Sequence, residues 1–197
     1  MARAGAGRFL IELKRKTQNL PCGDAHGVFS LKDYIYKLIR AVNFYNKDIS
    51  VWVNNVVFFL GKDFMSVYDK MPVFFSHGDY HPLNVIWSDE GIKCVIDWEF
   101  SGYKSELYDA ANLIGCVGVE DQRSLTADLV VSFIAEMKKS GIISKESWKY
   151  LTKFITALRF AWLAEWLRRN DTEMISLEID YLRLLIDNRT ALEKSWP

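Results

Sequence analysis

Apolar residues recur at helical spacing along most of this chain and give way to short β-like runs only near its middle. After Ser30 and Asp33, spaced like a capping box, Leu31, Tyr34, Ile35, Leu38, Ile39 and Val42 predict a helix. Val53, Val56, Val57, Leu60, Phe64 and Met65 predict a second helix over about 51–68, stopped by Met71-Pro72. Val73-Phe74-Phe75 then reads as a short strand leading into His77-Gly78-Asp79. Val85-Ile86-Trp87, the polar turn Ser88-Asp89-Glu90-Gly91, and Ile92 to Ile96 read as a hairpin. Helical spacing returns over about 106–116, 121–140 (closed by Gly141), 145–169 and 172–194, with Ser144 and Asp171 as N-caps. No repeat or linker divides the chain, so residues 1–197 are expected to form one domain of the α+β class, mostly helical, around a small β patch.

Composition narrows the class. Half of the 197 residues are hydrophobic and the formal net charge is zero, which excludes a disordered chain and a strongly basic nucleic-acid binder. Three widely spaced cysteines, Cys22, Cys94 and Cys116, form no CxxC pair and are expected to be buried free thiols of a reducing compartment. The start has no signal-peptide core, and the most apolar run, residues 51–60, is too short and too polar to cross a bilayer. A cytoplasmic protein without a membrane or nucleic-acid partner is expected.

The hairpin has a chemical consequence. Asn84 stands just before its first strand and Asp97 just after its second, and a hairpin returns its two ends to one place. Asp79 lies five residues before Asn84, in the loop that feeds the first strand. An amide and carboxylate oxygen set suits Mg²⁺, a hard cation that keeps several waters and shares phosphate oxygens. A remaining aspartate can take a proton from a hydroxyl. The competing explanation is that Asp79 and Asp97 merely cap strand ends, but that accounts neither for the asparagine nor for the order of the elements.

The stretch His77-Gly78-Asp79-Tyr80-His81-Pro82-Leu83-Asn84, followed by Ile96-Asp97-Trp98-Glu99, keeps the base-to-asparagine spacing of the protein-kinase catalytic loop. It resembles the aminoglycoside phosphotransferase and choline kinase-like small-molecule kinases, which share the protein-kinase fold. That resemblance implies transfer of the ATP γ-phosphate to a substrate hydroxyl, with Asp79 as catalytic base and Asn84 and Asp97 as Mg²⁺ ligands. It also implies that His77 braces the loop, and that Asp109, in the helix Glu106 to Leu113, accepts hydrogen bonds from it. His81 is read as a second brace, and no partner is named for His26.

The same resemblance implies a protein-kinase-like C-terminal lobe with a small β-hairpin carrying the catalytic loop. Before Ser76 there is no strand series and no VAIK-like lysine, so the N-terminal nucleotide lobe is expected to be absent and activity alone to be weak or nil. The stretch from Gly7 through Pro21 resembles the helix after the interlobe hinge. A surface left bare by the missing lobe is expected to self-associate or take a partner. The alternative is a non-catalytic kinase-like remnant serving as a binding module.

The acceptor is not specified. Glu165, Asp171, Glu173, Glu178 and Asp180 among tryptophans would suit a cationic amine. The simpler expectation is that Leu163, Trp166, Ile179, Leu182, Leu185 and Ile186 face a core while the acids face solvent.

Overall fold

A computed structural model describes residues 5–20, 29–45 and 47–197, so Cys22 and His26 lie outside the described residues. The elements follow in the order α1 (Ala6–Thr17), α2 (Leu31–Tyr45), α3 (Lys47–Tyr68), β1 (Val73–Ser76), β2 (Val85–Ser88), β3 (Gly91–Val95), β4 (Gly102–Ser105), α4 (Tyr108–Glu120), α5 (Asp128–Ser140), α6 (Lys145–Trp148), α7 (Leu151–Arg169), α8 (Thr172–Asp187) and α9 (Arg189–Ser195). The expected α+β, mostly helical architecture is present. Two helices lie at the centre. Nine residues of α4 are buried, among them Asp109 and Asn112, and the first ten of α7 are buried without interruption, so neither helix keeps a solvent face there. α4 packs on α7, and α7 on α2, α3 and α8. Where α4 meets α8, a Cβ on Gly118 would fall 2.1 Å from the Tyr181 hydroxyl, so only glycine permits the approach.

The caps read from the sequence are made. Ser30 Oγ accepts the Asp33 N–H (3.1 Å), Ser144 Oγ the Ser147 N–H (3.3 Å), and Asp171 Oδ1 the Met174 N–H (3.1 Å). Gly141 closes α5 in the left-handed conformation, φ 65°.

Three expected helices are each divided. In 121–140 the Asp121 side chain accepts the Arg123 N–H and starts a 3₁₀ turn, Gln122–Thr126, before α5 begins. In 145–169 the buried Glu106 carboxylate holds Ser144 Oγ (2.5 Å) and Ser147 Oγ (2.6 Å), pinning α6 as a single turn before α7. In 172–194 Asn188 turns its amide back onto Leu184 O (3.0 Å) and ends α8. The second helix begins earlier than expected and breaks at Gly61, φ 64° and ψ 174°. There the buried Lys153 ammonium caps the freed Leu60 carbonyl (3.1 Å) and pairs with Asp63 (2.7 Å).

The β patch is two sheets. β2 and β3 form the expected antiparallel hairpin, with a register shift between Ile86 and Trp87. β1 pairs with β4, a strand not foreseen, from Val73↔Ser105 to Ser76↔Gly102. The burial of the polar Lys104 and Ser105 hides the apolar alternation that would have marked it. A two-stranded sheet holds only when packed on something else, and α1 supplies this for β1. α1 buries Leu10, Ile11 and Lys14 on one stripe. Among the described residues the Lys14 ammonium has no hydrogen-bond partner. It lies 4.7 Å from the centre of the Phe74 ring, and burial pushes it down to about 8 against the opposing pull of Asp109 and Glu106.

Two expectations are corrected. Cys94 is exposed rather than buried, because the middle of β3, Lys93 and Cys94 on opposite faces, is exposed on both sides; Cys116 is partly buried, and both are free thiols. Glu178 does not face solvent: it is fully buried, with Arg159 bound to its carboxylate and the Trp166 Nε1–H donating to it (3.3 Å). Arg159, on α7, offers a pairing partner that no periodicity could announce, and the pair ties α7 to α8.

Candidate active site

The stretch from His77 to Asn84 is a loop without regular structure until a 3₁₀ turn, Pro82–Asn84, hands the chain to β2. Such a loop leaves backbone amides in need of partners. α4 provides them. The Asp109 carboxylate, one residue into the helix, accepts the His77 N–H (2.8 Å) on one oxygen and the Gly78 N–H (2.9 Å) on the other. The pair is buried, so the two bonds fix the loop against the helix start.

His77 ties the same loop to the far end of the hairpin. Its Nδ1 accepts the Asp79 N–H (3.2 Å), which places the ring proton on Nε2, and Nε2 donates to the Ile96 carbonyl (2.9 Å). The Trp98 ring stands edge-on to the imidazole, 4.5 Å between centres. The Ile96 N–H in turn donates to the Asn84 carbonyl (3.0 Å). The hairpin therefore closes at Asn84 and Ile96, and Asp97 follows immediately.

Asp79 is half-buried and closely attended. Asn84 Nδ2 donates to its carbonyl (2.9 Å) and to Oδ2 (3.2 Å), and His81 Nε2 lies 3.4 Å from Oδ2. Burial pushes the Asp79 carboxyl up, but hydrogen bonds from His81, Asn112 and Asn84 and the His81 charge outweigh it, leaving the group below the usual carboxylate range. Asp79 is thus an ionised acceptor at neutral pH.

Asp97 differs. It is exposed, makes no hydrogen bond among the described residues, and adopts φ 65°. Positive φ is uncommon outside glycine, and aspartate is one of the few other residues that adopt it readily. An uncommitted carboxylate next to Ile96, which binds the Asn84 backbone carbonyl, together with an Asn84 side chain whose Nδ2 is spent on Asp79 and whose Oδ1 is not, fits a hard divalent cation that keeps waters and phosphate oxygens as its other ligands. Among the described residues no cluster of three or more His, Cys, Asp or Glu side chains could hold a metal by itself.

Three contributors were not legible in the sequence. Asn112, one turn after Asp109, donates to the Tyr80 carbonyl (3.4 Å) and to Asp79; only its i+3 placement from Asp109 could have suggested it. Lys104 is buried in β4 and donates to the Phe100 carbonyl (2.6 Å), a role nothing local signals. Gly78 has φ 88°, and a Cβ on it would lie 2.0 Å from that same Phe100 carbonyl oxygen. Strain and overlap together should make Gly78→Ala cost about 2–6 kcal/mol in a urea unfolding series; a change below about 0.5 kcal/mol would show that the loops are not in contact.

Residues 63–140, which include the whole loop, hairpin and α4, match the profile of the phosphotransferase enzyme family. The chain resembles that family. Among solved structures, the GDP complex of wild-type aminoglycoside 2'-phosphotransferase-IIIa superposes with a TM-score of 0.67 at 18% identity, over 94% of this chain and 63% of the other. The GDP and kanamycin complex of APH(2")-IIIa gives 0.68 at 18% identity, over 93% and 63%. The choline/ethanolamine kinase family protein of Mesorhizobium loti gives 0.67 at 16% identity, over 98% and 66%. At such identities the likeness establishes the fold, which is kinase-like. The chain spans about 63% of the length of the aminoglycoside phosphotransferases it matches. No curated protein sequence matches it. Among the described residues no helix is long and apolar enough to cross a membrane.

Proposed function

We propose that this chain is the catalytic lobe of a small-molecule kinase that moves the γ-phosphate of ATP to a substrate hydroxyl in the cytoplasm. The observation that carries the reading is the closed circuit of Asp109, His77, Asp79, Asn84 and Ile96, which ends at the exposed Asp97, φ 65°. Asn84 Oδ1 and the Asp97 carboxylate would hold Mg²⁺. When bound, the ion neutralises the phosphates and orients the γ-phosphoryl group. Asp79 receives the acceptor proton as the acceptor oxygen bonds to the γ-phosphorus, and the β–γ bridging oxygen leaves with ADP. His81, Asn84 and Asn112 keep Asp79 ionised and aimed. Because two of the neighbours are GDP complexes, GTP is the second donor to try.

The nucleotide lobe with its strand lysine belongs, on this reading, to the part of the neighbours that this chain does not match. Turnover by this chain alone is then expected to be weak, since positioning of reactants supplies about 7–11 kcal/mol of barrier reduction. The exposed Leu83, Ile86, Ile96, Trp98 and Phe100, gathered around the hairpin, are where such a lobe, a partner or a second copy would rest.

The test is Mg²⁺-dependent ADP release with a hydroxyl acceptor panel. Asp79→Asn should lower it by about 10²–10⁴-fold; activity unchanged by Asp79→Asn would overturn the assignment. His81→Ala should move the acid limb of the pH–rate profile upward. His81 lowers the Asp79 pKa, so without it Asp79 protonates at higher pH and the rate falls earlier on acidification.

A further inference from the structure

Two cavities share wall residues, and the first is lined by Asp79. The first, of about 430 Å³, has Asp79 and Asn112 at one end and Phe29, Tyr108 and Trp162 along its sides. The second, of about 720 Å³, is walled by Leu38, Ala164, Leu167 and Ile175 from α2, α7 and α8. Tyr34 and Glu165 belong to the walls of both, so the two cavities lie on either side of these residues.

Charge in the second cavity runs against a cationic ligand, with Lys37 and Arg168 beside the shared Glu165, whereas the first holds Asp79 and Glu165 against Arg169 alone. Among the described residues Glu165 is the single wall carboxylate besides Asp79, while Lys37, Arg168 and Arg169 supply three cations. Glu165 is already spent: Arg168 donates to it at 2.7 and 2.8 Å and Arg169 at 2.6 Å, and these bonds pull its carboxyl down to about 2. Three of the aromatic rings are also committed. The Lys104 ammonium lies 5.7 Å from the Phe29 ring centre and 5.4 Å from that of Tyr108, and the Arg159 guanidinium 6.0 Å from that of Trp162. A ring face attracts one cation through its quadrupole, and a second cation nearby meets the repulsion of the first.

We propose that the acceptor is an alcohol on an extended apolar body that carries no ammonium group, its hydroxyl at Asp79 and its body running past Tyr34 and Glu165 toward Leu38 and Ile175. The proposal rests on the phosphotransfer reading above and names the substrate class of that site. Walls whose exposed area is mostly apolar bind such bodies by burial. A polyamine or a quaternary ammonium alcohol meets instead a neutralised Glu165, rings already facing cations and a positive rim.

The test measures binding of cholate (below its micellar range), deoxycholate and estradiol beside choline and kanamycin to the full chain, by equilibrium dialysis. At least one apolar alcohol should bind about tenfold or more tightly than either amine. Ala161→Trp, which fills the first cavity from α7, should weaken that binding about tenfold. The exposed double variant Arg168→Glu with Arg169→Glu should leave the fold intact and shift the preference toward kanamycin. Equal or tighter binding of choline or kanamycin by the unaltered chain, or binding by none of the apolar alcohols, overturns the proposal. Mg²⁺-ATP binding by the same samples, read separately, reports on the phosphotransfer site: if it persists while the amines bind best, only the acceptor class is wrong.

Discussion

Asp109→Ala is expected to lower unfolding free energy by about 2–6 kcal/mol, because it strands two buried backbone N–H groups, those of His77 and Gly78, at about 1–3 kcal/mol each. It also removes the stronger of the two attractions, from Asp109 and Glu106, that oppose the burial penalty of Lys14. Asp109→Asn should fall between, since its one carbonyl oxygen can serve one amide while its NH₂ group faces the other donor. Urea unfolding of the three proteins, with amide exchange at His77 and Gly78, checks the order. Exchange at these two amides should quicken in Asp109→Ala beyond what the global loss explains. A loss under about 0.5 kcal/mol would mean that the loop finds other acceptors and that α4 does not position it.

Arg159→Met is the second large effect. Glu178 is fully buried and Arg159 nearly so, and breaking a buried pair by removing one partner leaves an uncompensated charge that costs about 3–5 kcal/mol. Replacing both, as Arg159→Met with Glu178→Leu, should recover most of that, less the unmet Trp166 indole N–H at about 1 kcal/mol. A double-mutant cycle by urea unfolding measures the coupling. If both single variants cost less than about 1 kcal/mol, the charges are solvated and the pair is not what ties α7 to α8.

These residues also mark what a sequence can and cannot disclose. The loop from His77 to Asn84, the hairpin and Asp97 were legible because their chemistry is local: a turn, two short strands and fixed spacings bring them together. The N-caps Ser144 and Asp171 were legible for the same reason. What stayed hidden depends on partners far along the chain. β4 is recognised only through β1, the tightness around Gly78 only through Phe100, and Glu178 only through Arg159. Helical periodicity carried the expected helices straight through residues 127, 149 and 188, near which Asp121, Glu106 and Asn188 supply side-chain hydrogen bonds that compete with the helix. The same periodicity placed the acids of α8 on a solvated face, and it was right for Glu173 and Asp180. It failed at Glu178 because a buried ion pair obeys complementarity rather than period.

The central claim, that Asn84 and Asp97 complete a metal–nucleotide site, is tested most directly by thermal unfolding with and without Mg²⁺-ATP, beside Asp97→Ala. The account predicts stabilisation that requires Mg²⁺ and disappears in Asp97→Ala, reaching about 2.7 kcal/mol when the nucleotide is at about a hundred times its Kd. Nucleotide stabilisation of equal size without Mg²⁺ or in the variant, or none at any concentration, would contradict it.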